Sequence, residues 1–270
     1  MIIGISGKIN SGKDVSGALM QYKNVSSSNT SRADFLSFSE ARRGVISSTE
    51  IRRFADEVKN IVCRWTNCTR RELENSEFKN TDLGNSWAKW KVFRTKANEK
   101  TFTSLKDAKN YASTFNNARI VEQRMDRRKL MQLIGTDAGR NVIHPDLWVN
   151  IVMSKYIPED ELWCNDWIMP DVRKPNEAQA ILNRGGIIIR IERDVELRHS
   201  LHWARYIKET DSYLSERSFI SWCKKEFPEF HDRITHESET ALDDFTGFHS
   251  KVYNNNTIDY LNQELKKIQI

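Results

Sequence analysis

The chain has 270 residues, 39% hydrophobic and 29% charged, a balance that excludes a disordered polymer and suits one large domain with insertions or two modest ones. No apolar run approaches the roughly 18 to 20 residues that span a bilayer, and the start, "MIIGIS", lacks the basic region and long apolar stretch of a signal peptide, so a cytoplasmic protein is expected. The net charge of +5 suits phosphate-bearing ligands, and because the basic residues are scattered, small phosphorylated molecules are favoured over polynucleotide.

Residues 2–6 read as an apolar strand that runs into glycines, and "DVSGALMQY" (14–22) reads as a helix. "NVSSSNTSRAD" (24–34) is a polar loop, "FLSFS" (35–39) and "STEIRRF" (48–54) are candidate strands, and "ADEVKNIVCRWTN" (55–67) is a helix. Residues 81–120 are polar and aromatic without clear core periodicity, the pattern of an inserted hairpin or small subdomain. An amphipathic helix is expected over 121–134, stopped by Gly135, and another from Pro145 to about residue 157.

"DWIMPD" (166–171) and "GIIIRIER" (186–193) read as strands with a helix, "NEAQAILNRGG", between them. Residues 194–234 are charge-dense and helical without a continuous apolar face, which suggests a mobile lid. "SKVYNNN" (250–256) gives a last strand and turn, and the chain closes on an amphipathic helix. Strands alternating with helices imply an α/β fold with a parallel sheet of about five strands flanked by helices. Cys63, Cys68, Cys164 and Cys223 are scattered and form no zinc-binding spacing, so reduced thiols are expected.

The stretch "GKINSGKD" (7–14) carries the most chemistry. Strand, glycine loop and helix form the setting in which backbone N–H groups and a helix start bind phosphate. Gly7, Gly12 and Lys13 fall at the required spacing, but Asp14 stands where Ser or Thr is usual. Lys13, read as a solvent-facing charge, would reach the terminal phosphates. Asp14 suits the first turn of a helix on dipole grounds alone. It also suits Mg²⁺, which takes one or two carboxylates plus phosphates, with Asp171 at a strand's carboxyl end as the second acid. Arg128, Arg140, Arg173 and Arg193 fall at helix turns or strand ends, and guanidinium forks match phosphate.

With "NSGKD" (10–14), "FADEVKNIV" (54–62), "RRKLMQLIGTDAGRNVIHPDLWV" (127–149), "MPDVRKPNEAQAI" (169–181), "THESE" (235–239) and "VYNNNTIDYLNQEL" in that order, the chain resembles the deoxynucleoside monophosphate kinases of tailed bacteriophages. Where the family commonly has an Asn-Asp-Gly turn near the adenine, this chain has "NNNT" (254–257). The resemblance implies a single P-loop nucleoside-monophosphate-kinase-like domain over 1–270, with 81–120 inserted in the monophosphate-binding region and 194–234 as lid. It implies ATP-dependent phosphorylation of deoxynucleoside monophosphates with Mg²⁺. Gly7, Lys8, Asn10, Ser11, Gly12, Lys13 and Asp14 would bind ATP. Lys13, Arg128, Arg173 and Arg193 would act in catalysis, and Asp14 and Asp171 on the metal. Asp56, Lys59, Arg128, Gln132, Asp137 and Trp148 would take the acceptor, although Trp148 also reads as core. The implied partners are ATP and deoxynucleoside monophosphates, with no membrane, nucleic acid disfavoured and a homodimer left open. A kinase of another small phosphate ester and a nucleic-acid-binding ATPase are the competing readings.

Overall fold

A computed structural model describes residues 1–25, 49–95, 98–157, 166–210 and 215–268. The chain divides into two compact units, one built from Met1–Phe54 and Val149–Ile270 and the other from Ala55–Trp148. The expected strand at 35–39 and the polar loop from residue 26 on lie outside the described residues, as does Cys164. Eight strands are described: β1 (Ile2–Ser6), β2 (Thr49–Ile51), β3 (Lys89–Thr95), β4 (Asn98–Phe102), β5 (Arg119–Gln123), β6 (Asp166–Val172), β7 (Ile187–Glu192) and β8 (Ser250–Tyr253).

In the first unit, five strands form a wholly parallel sheet in the order β2-β6-β1-β7-β8. Every residue of β1 is buried, as befits a central strand with both faces covered. Its period-two alternation divides the core. Ile2 joins Met169, Ile181 and Ile188 on one face, and Ile3 and Ile5 join Ile168, Ile189 and Leu19 on the other. The helix Lys13–Val25 and the C-terminal helix Ile258–Lys266, capped by the Thr257 hydroxyl, supply the second face. The expected five-stranded α/β sheet is the one observed.

Among the described residues, the stretch 194–234 after β7 holds four helices: Val195–Arg198, Ser200–Thr210, Glu216–Glu226 and Pro228–Ile234. They do not lack an apolar face. Tyr206, Phe219, Trp222, Cys223 and Phe230 form their own buried cluster, with Trp203 and Phe227 packed against it. The charge-rich composition hides this core because its apolar members, Val195 included, are spread over four helices.

The second unit holds the antiparallel sheet β4-β3-β5, with Val92 of β3 and Ala108 of the helix Leu105–Ala112 fully buried. The expected hairpin is present as β3 and β4, with a third strand, β5, added. That strand corrects the helix expected over 121–134. Residues 119–123 pair with β3, and the helix starts at Arg127, where Asp126 Oδ1 accepts the Lys129 N–H at 2.8 Å. The run of apolar residues had merged a strand with a helix. Gly135 does not stop it either. The chain continues from Leu133 to Ile143 as a π-helix, and the Trp148 indole donates to the Gly135 carbonyl at 2.8 Å. The next helix is shorter than expected, Leu147–Met153. Among the described residues no helix is long and apolar enough to cross a membrane.

Candidate active site

The glycine loop leaves the carboxyl end of β1, the edge at which parallel α/β sheets bind ligands. Asn10 (φ 62°) and Gly12 (φ 96°) hold left-handed backbone, which turns the chain back toward the helix Lys13–Val25. A Cβ on Gly7 would stand 2.7 Å from the Ile191 carbonyl, and one on Gly12 would stand 2.3 Å from Asn254 Nδ2. Glycine is required at both places because neighbouring chain fills the space. The loop is pinned from several sides. Asn254 Nδ2 donates to the Ser11 carbonyl at 2.8 Å, Asn10 Nδ2 to the Arg198 carbonyl at 2.9 Å, and the Ile9 N–H to Glu239 Oε2 at 2.5 Å. Ser11 Oγ is buried without a hydrogen-bond partner among the described residues.

Lys13 is 6% exposed, not solvent-facing. Burial pushes its ammonium pKa down and the Arg173 guanidinium adds to that push, while Glu239, Asp14 and Asp171 oppose it. These four side chains therefore lie within electrostatic reach of one ammonium group. Asp14 is largely exposed and its Oδ1 pairs with Arg53 Nη2 at 3.1 Å. Asp171 is the penultimate residue of β6, and its Oδ1 accepts the Phe54 N–H at 3.2 Å. Arg173 follows that strand directly and meets Glu239 Oε1 at 2.5 Å. Among the described residues no three His, Cys, Asp or Glu side chains form a metal cage. Two carboxylates beside the glycine loop would fit a hard cation that arrives with phosphates as its other ligands.

Next to the loop, Arg193 Nη1 reaches the Asn10 carbonyl at 3.4 Å. A cavity of about 530 Å³ opens there, lined by Lys8, Arg193, Lys251 and Tyr253 among others. Arg190, 4% exposed, donates to Ser6 Oγ, to Asp243 and to Glu192, which lines the cavity, and Asp243 also holds Lys8 at 3.1 Å.

In the second unit the expected acceptor residues divide. Asp56 pairs with Arg70 at 2.8 Å, Lys59 with Glu74 at 2.7 Å, and Arg128 Nε donates to Asn80 Oδ1 at 2.8 Å. Burial works against the charge of Glu74, yet Lys59, Lys79 and Arg70 hold its carboxyl below the usual range. Lys79 is pushed down by burial, with Lys59 and Arg128 adding to the effect. Lys59, Lys79 and Arg128 thus form a basic cluster. Arg127 stacks over Phe78 at 4.0 Å. Gln132 and Asp137 are exposed, on the helix and on the π-helix after it. Trp148 is 4% exposed with its N–H already engaged, so it packs in the interior of its unit.

Sequence reasoning missed Arg70, Glu74 and Lys79, although the Thr69–Glu72 capping box marked a helix start there. It also missed Glu239, Arg190, Asp243 and Asn254. Glu239 falls in "THESE" and Asn254 in "NNNT", motifs of the family resemblance that give neither residue a role at the loop.

A parallel α/β sheet whose first strand passes through a glycine loop into a helix defines the P-loop-kinase-like class. A family model for deoxynucleotide monophosphate kinase matches residues 67–214. That is more than half of the chain, and the chain belongs to that family and is a phosphotransferase. The matched stretch excludes the glycine loop, so loop and family are independent observations. No curated protein matches the chain.

Proposed function

We propose that the protein transfers the γ-phosphoryl group of ATP to deoxynucleoside 5′-monophosphates, giving the diphosphates and ADP. The observation that carries this reading is Lys13, buried at the glycine loop and surrounded by Arg173, Asp14 and Asp171. The acceptor atom is a phosphate oxygen already ionised near neutral pH, so no general base is needed. Catalysis then consists of positioning and charge neutralisation. Lys13 and the loop N–H groups take the donor phosphates, and Arg173 and Arg193 face the charge that develops during transfer. Asp14 and Asp171 would hold Mg²⁺, which would neutralise the donor phosphates.

The nucleoside of ATP is assigned to the cavity beside Lys8, Arg193 and Tyr253, whose volume falls in the range of about 300 to 1,000 Å³ usual for small-ligand sites. Arg128 and Lys59, with Lys79, supply positive charge for the acceptor phosphate, and Asp56, Gln132 and Asp137 form the rest of the acceptor region, with Trp148 supporting it from the interior of the unit. The helices of 194–234 act as the lid, moving as a body on their own apolar core. Screening purified protein for ADP release from ATP with each common monophosphate tests this. Release with deoxynucleoside monophosphates is expected; release only with a different phosphate ester would refute the acceptor assignment.

A further inference from the structure

Glu239 lies on the short helix Glu237–Thr240, far along the chain from the loop and outside the family match. Its side chain is 5% exposed. Burying a carboxylate is unfavourable unless its lone pairs are satisfied, and here both oxygens are. Oε1 meets Arg173 Nη1 and Oε2 accepts the Ile9 N–H, each at 2.5 Å. The neighbouring Lys174 pairs with Glu237 of the same helix at 2.9 Å, so two successive residues after β6 dock on it. The Arg173 side chain remains 38% exposed. One end of its planar fork is therefore held while the other stays accessible.

A lone arginine at a strand end samples many rotamers, and ordering it during the reaction is costly. A guanidinium already clamped by a buried carboxylate is preorganised toward developing negative charge. The same carboxylate fixes the loop backbone at Ile9. We propose that Glu239 is a positioning residue for phosphoryl transfer, holding Arg173 and the glycine loop in one rigid frame. This rests on the kinase reading above. Glu239 acts through Arg173, so its loss lowers kcat more than it weakens nucleotide binding.

The test is a mutant cycle in the full-length enzyme with Glu239→Gln, Arg173→Ala and the double variant, with thermal unfolding recorded for each. Glu239→Asp replaces Glu239→Gln in the same cycle if the glutamine variant does not fold. Glu239→Gln is expected to lower kcat by about 10- to 100-fold with the KM for ATP changed by less than about 3-fold. In the Arg173→Ala background the same change should cost only about 3-fold, because the Arg173 contact is already gone and only the Ile9 contact is left to lose. A merely structural acid would lower stability and rate alike in both backgrounds. Equal losses of kcat in the two backgrounds, or a folded Glu239→Gln enzyme with wild-type kcat, would overturn the inference while leaving the kinase reading intact. Absence of turnover in the wild-type protein would overturn both.

Discussion

Gly12→Ala concentrates two costs at one atom. The residue holds φ 96°, and an added Cβ would stand 2.3 Å from Asn254 Nδ2. The backbone penalty for a non-glycine residue there is about 1 to 2 kcal/mol. Asn254 is 8% exposed and gives its Nδ2 hydrogen to the Ser11 carbonyl, so moving it aside breaks a buried bond. An acceptor left unsatisfied in the interior costs about 1 to 3 kcal/mol. The sum, about 2 to 5 kcal/mol, is a large share of the roughly 5 to 15 kcal/mol that holds a domain folded. Urea denaturation should show a lower midpoint with an unchanged slope. Asn254→Ala loses the same hydrogen bond but makes room for the Cβ. The double variant should therefore cost less than the sum of the single ones by about 1 to 2 kcal/mol. A Gly12→Ala protein within about 0.5 kcal/mol of wild type, or strictly additive losses, would refute the packing described for the loop.

Lys13→Met should lower kcat by about 100- to 1,000-fold. Because burial disfavours the Lys13 charge in the folded state, the same variant should unfold no earlier than wild type, which a thermal melt checks. Asp14→Asn and Asp171→Asn should each raise the magnesium concentration for half-maximal rate, and the double variant should show less than the summed effect; additive losses with an unshifted magnesium curve would separate both acids from the metal. His199, buried beside Arg198, His202 and Arg233, has its pKa lowered to about 4, so it stays neutral in the fold while the unfolded chain takes up its proton near pH 6.5. Its contribution is therefore lost as pH falls from about 6.5 to 4, by up to about 3 kcal/mol, and urea midpoints of His199→Phe should lack this part of the decline.

The features legible in the sequence were those made by neighbours in the chain. Strand, loop and first helix occupy residues 2–25, and their apolar alternation and glycine spacing need no distant partner to be read. β6 and β7 were equally plain, as apolar runs bounded by polar turns. The helix expected over 121–134 failed because a strand edge and a helix start adjoin there. The capping role of Asp126 outranks the apolar spacing across it. Glu239 was invisible for a different reason. It meets Ile9 across 230 positions, and nothing in "THESE" says which backbone group its carboxylate will find. Asn254 likewise looked like a departure from a family turn. Its side chain instead closes on the loop 243 residues earlier. Lys13 was read as exposed because the pattern of a loop does not reveal what packs over it.

The proposed reaction is phosphoryl transfer from ATP to a deoxynucleoside monophosphate at the Lys13 loop. The most direct measurement incubates the enzyme with γ-labelled ATP, magnesium and one deoxynucleoside monophosphate at a time, and separates the products. Label appearing in the deoxynucleoside diphosphate, with an equal amount of ADP and its loss in Lys13→Met, is the predicted result. Label released only as inorganic phosphate, or the same transfer in the Lys13→Met protein, would contradict it.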